Sequence, residues 1–263
     1  MVKDSLGDRI KHNYEDVSKT RLTRRTPVIC RLDGCHFHSF SKGFNKPFDA
    51  ALTTAMDETM KYLCEHIQGC VLGYTQSDEI TLVLVDYAKF ESEAWFDYEV
   101  QKICSVAASM ATLAFNRAFQ KAIGPFFENY IISNDVSEAD IKLAEAYSRA
   151  ENIGATFDAR CFNIPKEEVA NCIYWRQLDA IRNSILSLAQ SLYSQKEMQG
   201  IDCKVLQKKM LVEKNIEWNK LSTRQKFGSC CVKKDGKWQV DLDIPMFLGE
   251  SRNYIEDLIN VGE

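Results

Sequence analysis

The sequence predicts an α+β fold of the split βαβ, ferredoxin-like type: an antiparallel sheet with helices on one face, followed by a helical and hairpin extension. Three observations predict it. As far as Ile164, β-branched runs alternate with long amphipathic stretches in the order strand–helix–strand–strand–helix–strand. A polar turn, Gln76-Ser77-Asp78-Glu79, separates two apolar runs that follow each other directly. Further on, Asp235-Gly236 lies between two more strand-like runs, a hairpin signal.

Val28 to Asp33 reads as a short strand after a basic entry segment containing Lys19, Arg21, Arg24 and Arg25. A helix follows over 47–67, with Pro47 suited to its first turn, Leu52, Met56, Met60, Leu63 and Ile67 at helical spacing, and Gly69 closing it. Cys70–Thr75 and Ile80–Val85 are the paired strands. The next helix covers 93–121, with Ile103, Val106, Met110 and Leu113 on one face, and Gly124-Pro125 stops it. A short helix at 137–149 leads to a strand over Thr156–Ile164. Pro165 opens a helix over 166–194 carrying Val169, Ile173, Ile181, Ile185 and Leu188; Tyr174 and Trp175 read as its core anchors, with base stacking as the other reading. A helical stretch at 203–214 and a hairpin of Ser229–Lys233 with Trp238–Asp243 complete the chain. These elements divide into a catalytic unit, 1–165, and a C-terminal unit of helices and hairpin, 166–263, packed on it.

Composition bounds the function. The chain has 263 residues, 45% hydrophobic and 27% charged, which is globular composition with enough length for a core without disulfides. The net charge of −4 does not advertise nucleic acid, although basic residues cluster locally, as at Lys204, Lys208 and Lys209. Ten cysteines at irregular spacing, with a charged segment and no apolar stretch from Met1 to His12, point to reduced thiols and a cytoplasmic protein. No run approaches the roughly 18 apolar residues a membrane span needs. Cys30, Cys35, His36 and His38 mix zinc-ligand types, but their spacing matches no common zinc site.

The predicted topology has a chemical consequence. The first two strands run parallel with the third antiparallel between them, so the end of the first strand and the turn after the second meet at one sheet edge. Asp33 occupies the former and Asp78 the latter. Paired carboxylates are the minimal apparatus of two-metal phosphoryl transfer: Mg²⁺ takes oxygen ligands and shares them with substrate phosphates. Gly34 lets backbone approach a triphosphate closely. On spacing alone, a strand end and a turn are the weightier explanation of the two aspartates.

Arg31-Leu32-Asp33-Gly34-Cys35-His36-Phe37-His38-Ser39-Phe40, with Phe44-Asn45-Lys46-Pro47-Phe48-Asp49, resembles the metal-binding strand of the tRNA-His guanylyltransferase family, which includes the Thg1-like, 3′–5′ polymerases. Gly73-Tyr74-Thr75-Gln76-Ser77-Asp78-Glu79 is similar to that family's second acidic motif. Ser105-Val106-Ala107-Ala108-Ser109, Phe157-Asp158-Ala159-Arg160, Tyr174-Trp175-Arg176-Gln177 and Lys226-Phe227-Gly228 continue in order, so the resemblance spans roughly residues 20–235. It implies a polymerase-type palm on which Asp33, Asp78 and the Gly34 carbonyl hold two Mg²⁺, with Glu79 as a further catalytic carboxylate. It also implies a nucleotide site of Gly34, Cys35, His36, Phe37, His38, Lys46, Ser77 and Lys102 for ATP, GTP or another nucleoside triphosphate. Arg160, Arg176, Arg182, Asn183 and Lys226 are the implied tRNA contacts, and the implied assembly is a homotetramer.

Two positions depart from the family pattern. Where members dedicated to tRNA-His carry His-Ile-Asn-Asn, this chain has Ile181-Arg182-Asn183-Ser184, and Leu206 stands where a lysine used in 5′ activation is often found. The resemblance therefore implies the Thg1-like branch, adding templated nucleotides to 5′-truncated tRNAs, ahead of the dedicated guanylyltransferase. A nucleotidyl or diguanylate cyclase is disfavoured because no glycine-rich turn replaces Gln76-Ser77-Asp78-Glu79. A catalytically silent tRNA-binding protein is disfavoured because clustered carboxylates are costly without cations.

Overall fold

A computed structural model describes residues 5–133 and 135–261; the first four residues of the charged N-terminal segment lie outside it. Six strands, β1 (Val28–Cys35), β2 (Cys70–Gln76), β3 (Glu79–Leu84), β4 (Thr156–Asn163), β5 (Ser229–Lys234) and β6 (Lys237–Asp241), form one sheet in the order β4-β1-β3-β2-β5-β6, every neighbouring pair antiparallel. Because β1 and β2 both pair with β3, they run parallel to each other. The helices in chain order are α1 (Ser5–Ile10), α2 (Phe37–Phe40), α3 (Ala50–His66), α4 (Val100–Ile132), α5 (Glu138–Ile153), α6 (Lys166–Gln190), α7 (Gln195–Met198), α8 (Cys203–Lys214), α9 (Thr223–Phe227) and α10 (Asn253–Ile259).

Helices α3 and α4 of the first unit cover one face of the sheet, as expected, and the C-terminal helices α6 and α10 cover the other. On the first face, α3 and α4 pack over Val28, Cys30, Leu32, Ile80, Leu82 and Leu84 with a nest of aromatic rings that includes Phe37, Phe40, Phe115, Phe119 and Phe157. On the second, α6 and α10 lay Val169, Ile173, Ile255 and Ile259 over Ile29, Leu72, Tyr74, Val83 and Val85. The alternation of side chains along a strand feeds both layers. Adjacent Cys230 and Cys231 are both fully buried because one enters each core. The hairpin of β5 and β6 does not pack on the first unit as a separate piece; β5 pairs with β2 and extends the same sheet.

Other differences have local causes. Helix α3 starts at Ala50, beyond Pro47, because Asp49 caps it, accepting the Leu52 amide at 2.9 Å. Helix α4 runs through Pro125 to Ile132. Pro125 is exposed, and beyond it the Phe126 ring meets Tyr147 of α5 edge-on at 5.3 Å, so tertiary packing carries the helix past the break. Its buried face is built on Ile103, Ala107, Ala111 and Phe115, and Leu113 is exposed. Trp175 is no core anchor: it is 54% exposed, while Tyr174 packs half-buried on the second core.

Candidate active site

The register of three strands assembles the acidic pair. Asp33 stands opposite Glu79 on β3 and opposite Asp158 on β4. The turn between β2 and β3 is Ser77-Asp78, with Ser77 in the left-handed region at φ 50°. It folds back so that the Gly34 amide donates to the Asp78 carbonyl at 3.0 Å. Asp33 and Asp78 thus share one end of the sheet, as the strand order requires. Burial pushes the Asp78 carboxyl above its ordinary range, the Ser77 hydroxyl and a backbone hydrogen bond oppose this, and the charge of Asp33 adds to the rise. Two half-buried carboxylates, a nearby hydroxyl and backbone oxygens form a hard oxygen donor set, and that chemistry fits Mg²⁺.

Gly34 is required by packing as well. A Cβ there would fall 2.2 Å from the Phe37 ring, on the face opposite to Asp33. Phe37 itself is 5% exposed inside the aromatic nest, so its side chain does not face a nucleotide. Cys35 is half-buried at the strand end, and His36, at φ 56°, turns the chain into α2 and is exposed, as is His38.

Beside the acidic pair, on the β2 side, lies a cavity of about 360 Å³ between α3, α6 and α9. Its lining includes His38, Lys46, Ser77 and Asn183, so four of the sequence candidates converge there. Among the described residues, Lys46 makes no ion pair. Asn183 donates to Gln76 Oε1 at 3.2 Å. The lining also contains Gln76 and Arg224, which sequence reasoning missed. Arg224 is held by Asp57, Nε to Oδ1 at 3.0 Å, and Asp57 also accepts the Ser229 hydroxyl at 2.6 Å. Asp158 was missed too, although it lies in a motif already singled out; its place opposite Asp33 becomes visible only through the register of β4.

Several candidates sit elsewhere or are engaged. Lys102 is on the other face of the sheet, its Nζ 4.8 Å above the Phe96 ring. Two residues on, Cys104 of α4 meets Cys161, which is opposite Cys30, so Lys102 belongs to the far end of β1. Glu79, expected as a further catalytic carboxylate, gives both oxygens to Arg176. Arg176, expected on tRNA, is 8% exposed and bridges Glu79 and Asp179; the carboxylates outweigh burial and hold its guanidinium above the ordinary range. Lys226 donates to the Asn219 carbonyl at 3.1 Å and lies over Trp218 and Phe227. Arg182 is exposed on α6. Arg160 is exposed on the edge strand and bonded to Asp158 at 2.8 Å, which raises its pKa.

Comparison with known proteins gives concordant matches. The family profile described as Thg1, tRNAHis guanylyltransferase, matches residues 7–165. The chain is similar to a bacterial tRNA(His) guanylyltransferase (Thg1)-like protein solved in complex with ATP, at 40% identity and TM-score 0.82, over 98% of this chain and 100% of that one. A bacterial Thg1-like structure in complex with GTP matches at 36% identity and TM-score 0.77, with the same coverage. Uncharacterized protein R259 of Acanthamoeba polyphaga mimivirus is 26% identical over 87% of this chain and 77% of its own length.

Proposed function

From the chain's membership of the tRNAHis guanylyltransferase (Thg1) family, we propose that this nucleotidyltransferase, which acts on the tRNA 5′ end, adds nucleotides in the 3′–5′ direction as a template-dependent repair enzyme. The observation that supports the chemistry is the pairing of Asp33 with Asp78 beside a cavity of about 360 Å³ lined by Lys46, which makes no ion pair among the described residues. In this reading the elements up to β4 are a ferredoxin-like, polymerase-type palm, and residues 166–263 complete the cavity and supply tRNA contacts. The proposed setting is cytoplasmic and the proposed assembly a homotetramer.

The reaction joins the 3′-oxygen of an incoming nucleoside triphosphate to the 5′-phosphorus of an activated RNA end. The bond to the pyrophosphate or AMP leaving group breaks and the hydroxyl loses its proton. Asp33, Asp78 and the Gly34 carbonyl would hold two Mg²⁺, which supply charge neutralisation and a more acidic attacking hydroxyl. The protein's own part is placement. Lys46 gives a point charge to the triphosphate, and Ser77 donates beside Asp78. Asn183 and Gln76 present amides to the nucleotide within the cavity.

Repair is favoured over the dedicated tRNA-His activity by Ile181 and Leu206. Leu206 is fully buried with Leu188 and Met210, and Ile181 packs against the same apolar cluster. Neither can donate a hydrogen bond or meet a phosphate, so selection rests on base pairing with the template strand. The test is a competition between tRNA-His and another tRNA, each lacking its first nucleotide, with the anticodons exchanged in a second round. Watson–Crick completion of both tRNAs is the expected result. Preference for tRNA-His that follows the anticodon would restore the dedicated guanylyltransferase.

A further inference from the structure

The acidic pair has two sides, and the cavity occupies only the one toward β2. On the other side lies an open strip formed by β1, the edge strand β4 and the flank of α6. Arg31 and Asp33 point to the same face of β1, opposite Arg160 and Asp158. Helix α6 sets Trp175 beside them: Arg31 Cζ is 5.7 Å and Arg176 Cζ 4.4 Å from its ring centroid. The indole is 54% exposed, in a chain whose other large aromatic side chains mostly enter the cores. Arg176 is committed to Glu79 in a buried pair, and Arg160 holds Asp158 at 2.8 Å in an exposed pair that solvent and a phosphate can compete with. Arg31 makes no ion pair among the described residues, and its buried Nε has no hydrogen-bond partner there. The Arg31 guanidinium also sits within electrostatic reach of the Glu79 carboxylate, but its Nε keeps an unused N–H, and with an exposed indole beside it the arrangement has room for a hydrogen-bond acceptor and for a stacking partner.

Resting on the function proposed above, we propose that this strip seats the 5′-terminal nucleotide of the RNA, its base stacked on Trp175 and its backbone phosphates met by Arg31 and Arg160. The strip exposes Trp175, Asp158 and Arg160 to solvent, which suits the end of a polymer; the cavity of about 360 Å³ suits a free nucleotide. The two reactants then approach Asp33 and Asp78 from opposite sides of the sheet end. Stacking is tolerant of base identity because every base has a π-face. The seat therefore accepts whichever nucleotide is terminal, as repair of differently truncated ends requires.

The test uses the full chain and a 5′-truncated tRNA whose terminal base is 2-aminopurine, with binding read by quenching of its fluorescence. Trp175→Ala and Trp175→Leu should weaken binding roughly 5- to 100-fold and lose the quench, whereas Trp175→Phe should keep most of both. The KM for nucleoside triphosphate should stay within about twofold of wild type in all three, since the cavity lies on the other side. Trp175→Ala binding the RNA as wild type does, or Trp175→Leu performing as well as Trp175→Phe, would overturn the seat. A wild-type protein that binds and quenches the probe yet adds no nucleotide would overturn the function reading and leave the seat standing. Nucleotide addition with an unchanged RNA KM in Trp175→Ala would do the reverse.

Discussion

Arg176 closes both oxygens of Glu79, Nε on Oε1 and Nη2 on Oε2, each at 2.6 Å. The pair lies under the sheet end and ties α6 to β3 immediately behind Asp33. Removing one member leaves the other charged and desolvated, and such half-broken pairs cost about 3–5 kcal/mol. Arg176→Met is expected to lower stability by about that much in urea denaturation. Replacing both, as Glu79→Met with Arg176→Met, should recover at least half of the loss. A single variant within about 1 kcal/mol of wild type would show that the fork contributes little.

Asp33→Asn and Asp78→Asn should each reduce nucleotide addition by roughly 10³-fold or more, because each removes a ligand and a charge from the acidic pair. The same change at Asp78 should raise the melting temperature of protein treated with EDTA. Burial and the neighbouring Asp33 both disfavour the Asp78 carboxylate, and an amide relieves them. Loss of activity without any gain in stability would mean that the acidic pair carries no strain when free of metal.

Lys46 lines the cavity and makes no ion pair among the described residues. Lys46→Ala is expected to raise the KM for nucleoside triphosphate or lower turnover, and to flatten the dependence of activity on salt. Unchanged affinity, rate and salt response would return Lys46 to the ordinary surface lysines.

Phe37 and Lys102 separate fold from function. Phe37→Ala opens a void among three neighbouring rings, those of Phe40, Phe115 and Phe157, and should cost about 3–5 kcal/mol. Lys102→Ala, exposed and on the opposite face, should change stability by no more than about 0.5 kcal/mol and leave addition rates unaltered. A specific rise in nucleotide KM for Lys102→Ala would place it back at the site.

The convergence of Asp33 and Asp78 was legible in the sequence because it follows from element order alone. Side-chain periodicity gives strands and helices, the split βαβ order gives neighbours, and neighbours give the shared edge. What stayed hidden depended on facts that periodicity does not carry. A charged residue reads as exposed, so Arg176 looked available for RNA until its partner Glu79 was seen across the layers. An aromatic residue on a helix reads as core, so the exposure of Trp175 was missed. Lys102 lies on a helix whose level along the sheet no local signal reports. The pairing of β5 with β2 joins segments far apart in the chain, and the hairpin turn at Asp235-Gly236 predicts only its own two strands.

That pairing governs the order in which the molecule can be made. Until β5 arrives, β2 is a bare edge with unpaired amides and carbonyls, a template for pairing with another chain. Gly73 must wait for Cys231, and the cavity must wait for Arg224 and Gly228. A ribosome has therefore released most of the chain before either the sheet or the nucleotide pocket can close. Such long-range closure slows folding and exposes sticky intermediates in the meantime. Chains broken off before β5 should accumulate as aggregates rather than as partially active enzyme, so the short stretch from Ser229 onward acts as the checkpoint on whether everything before it becomes a protein at all.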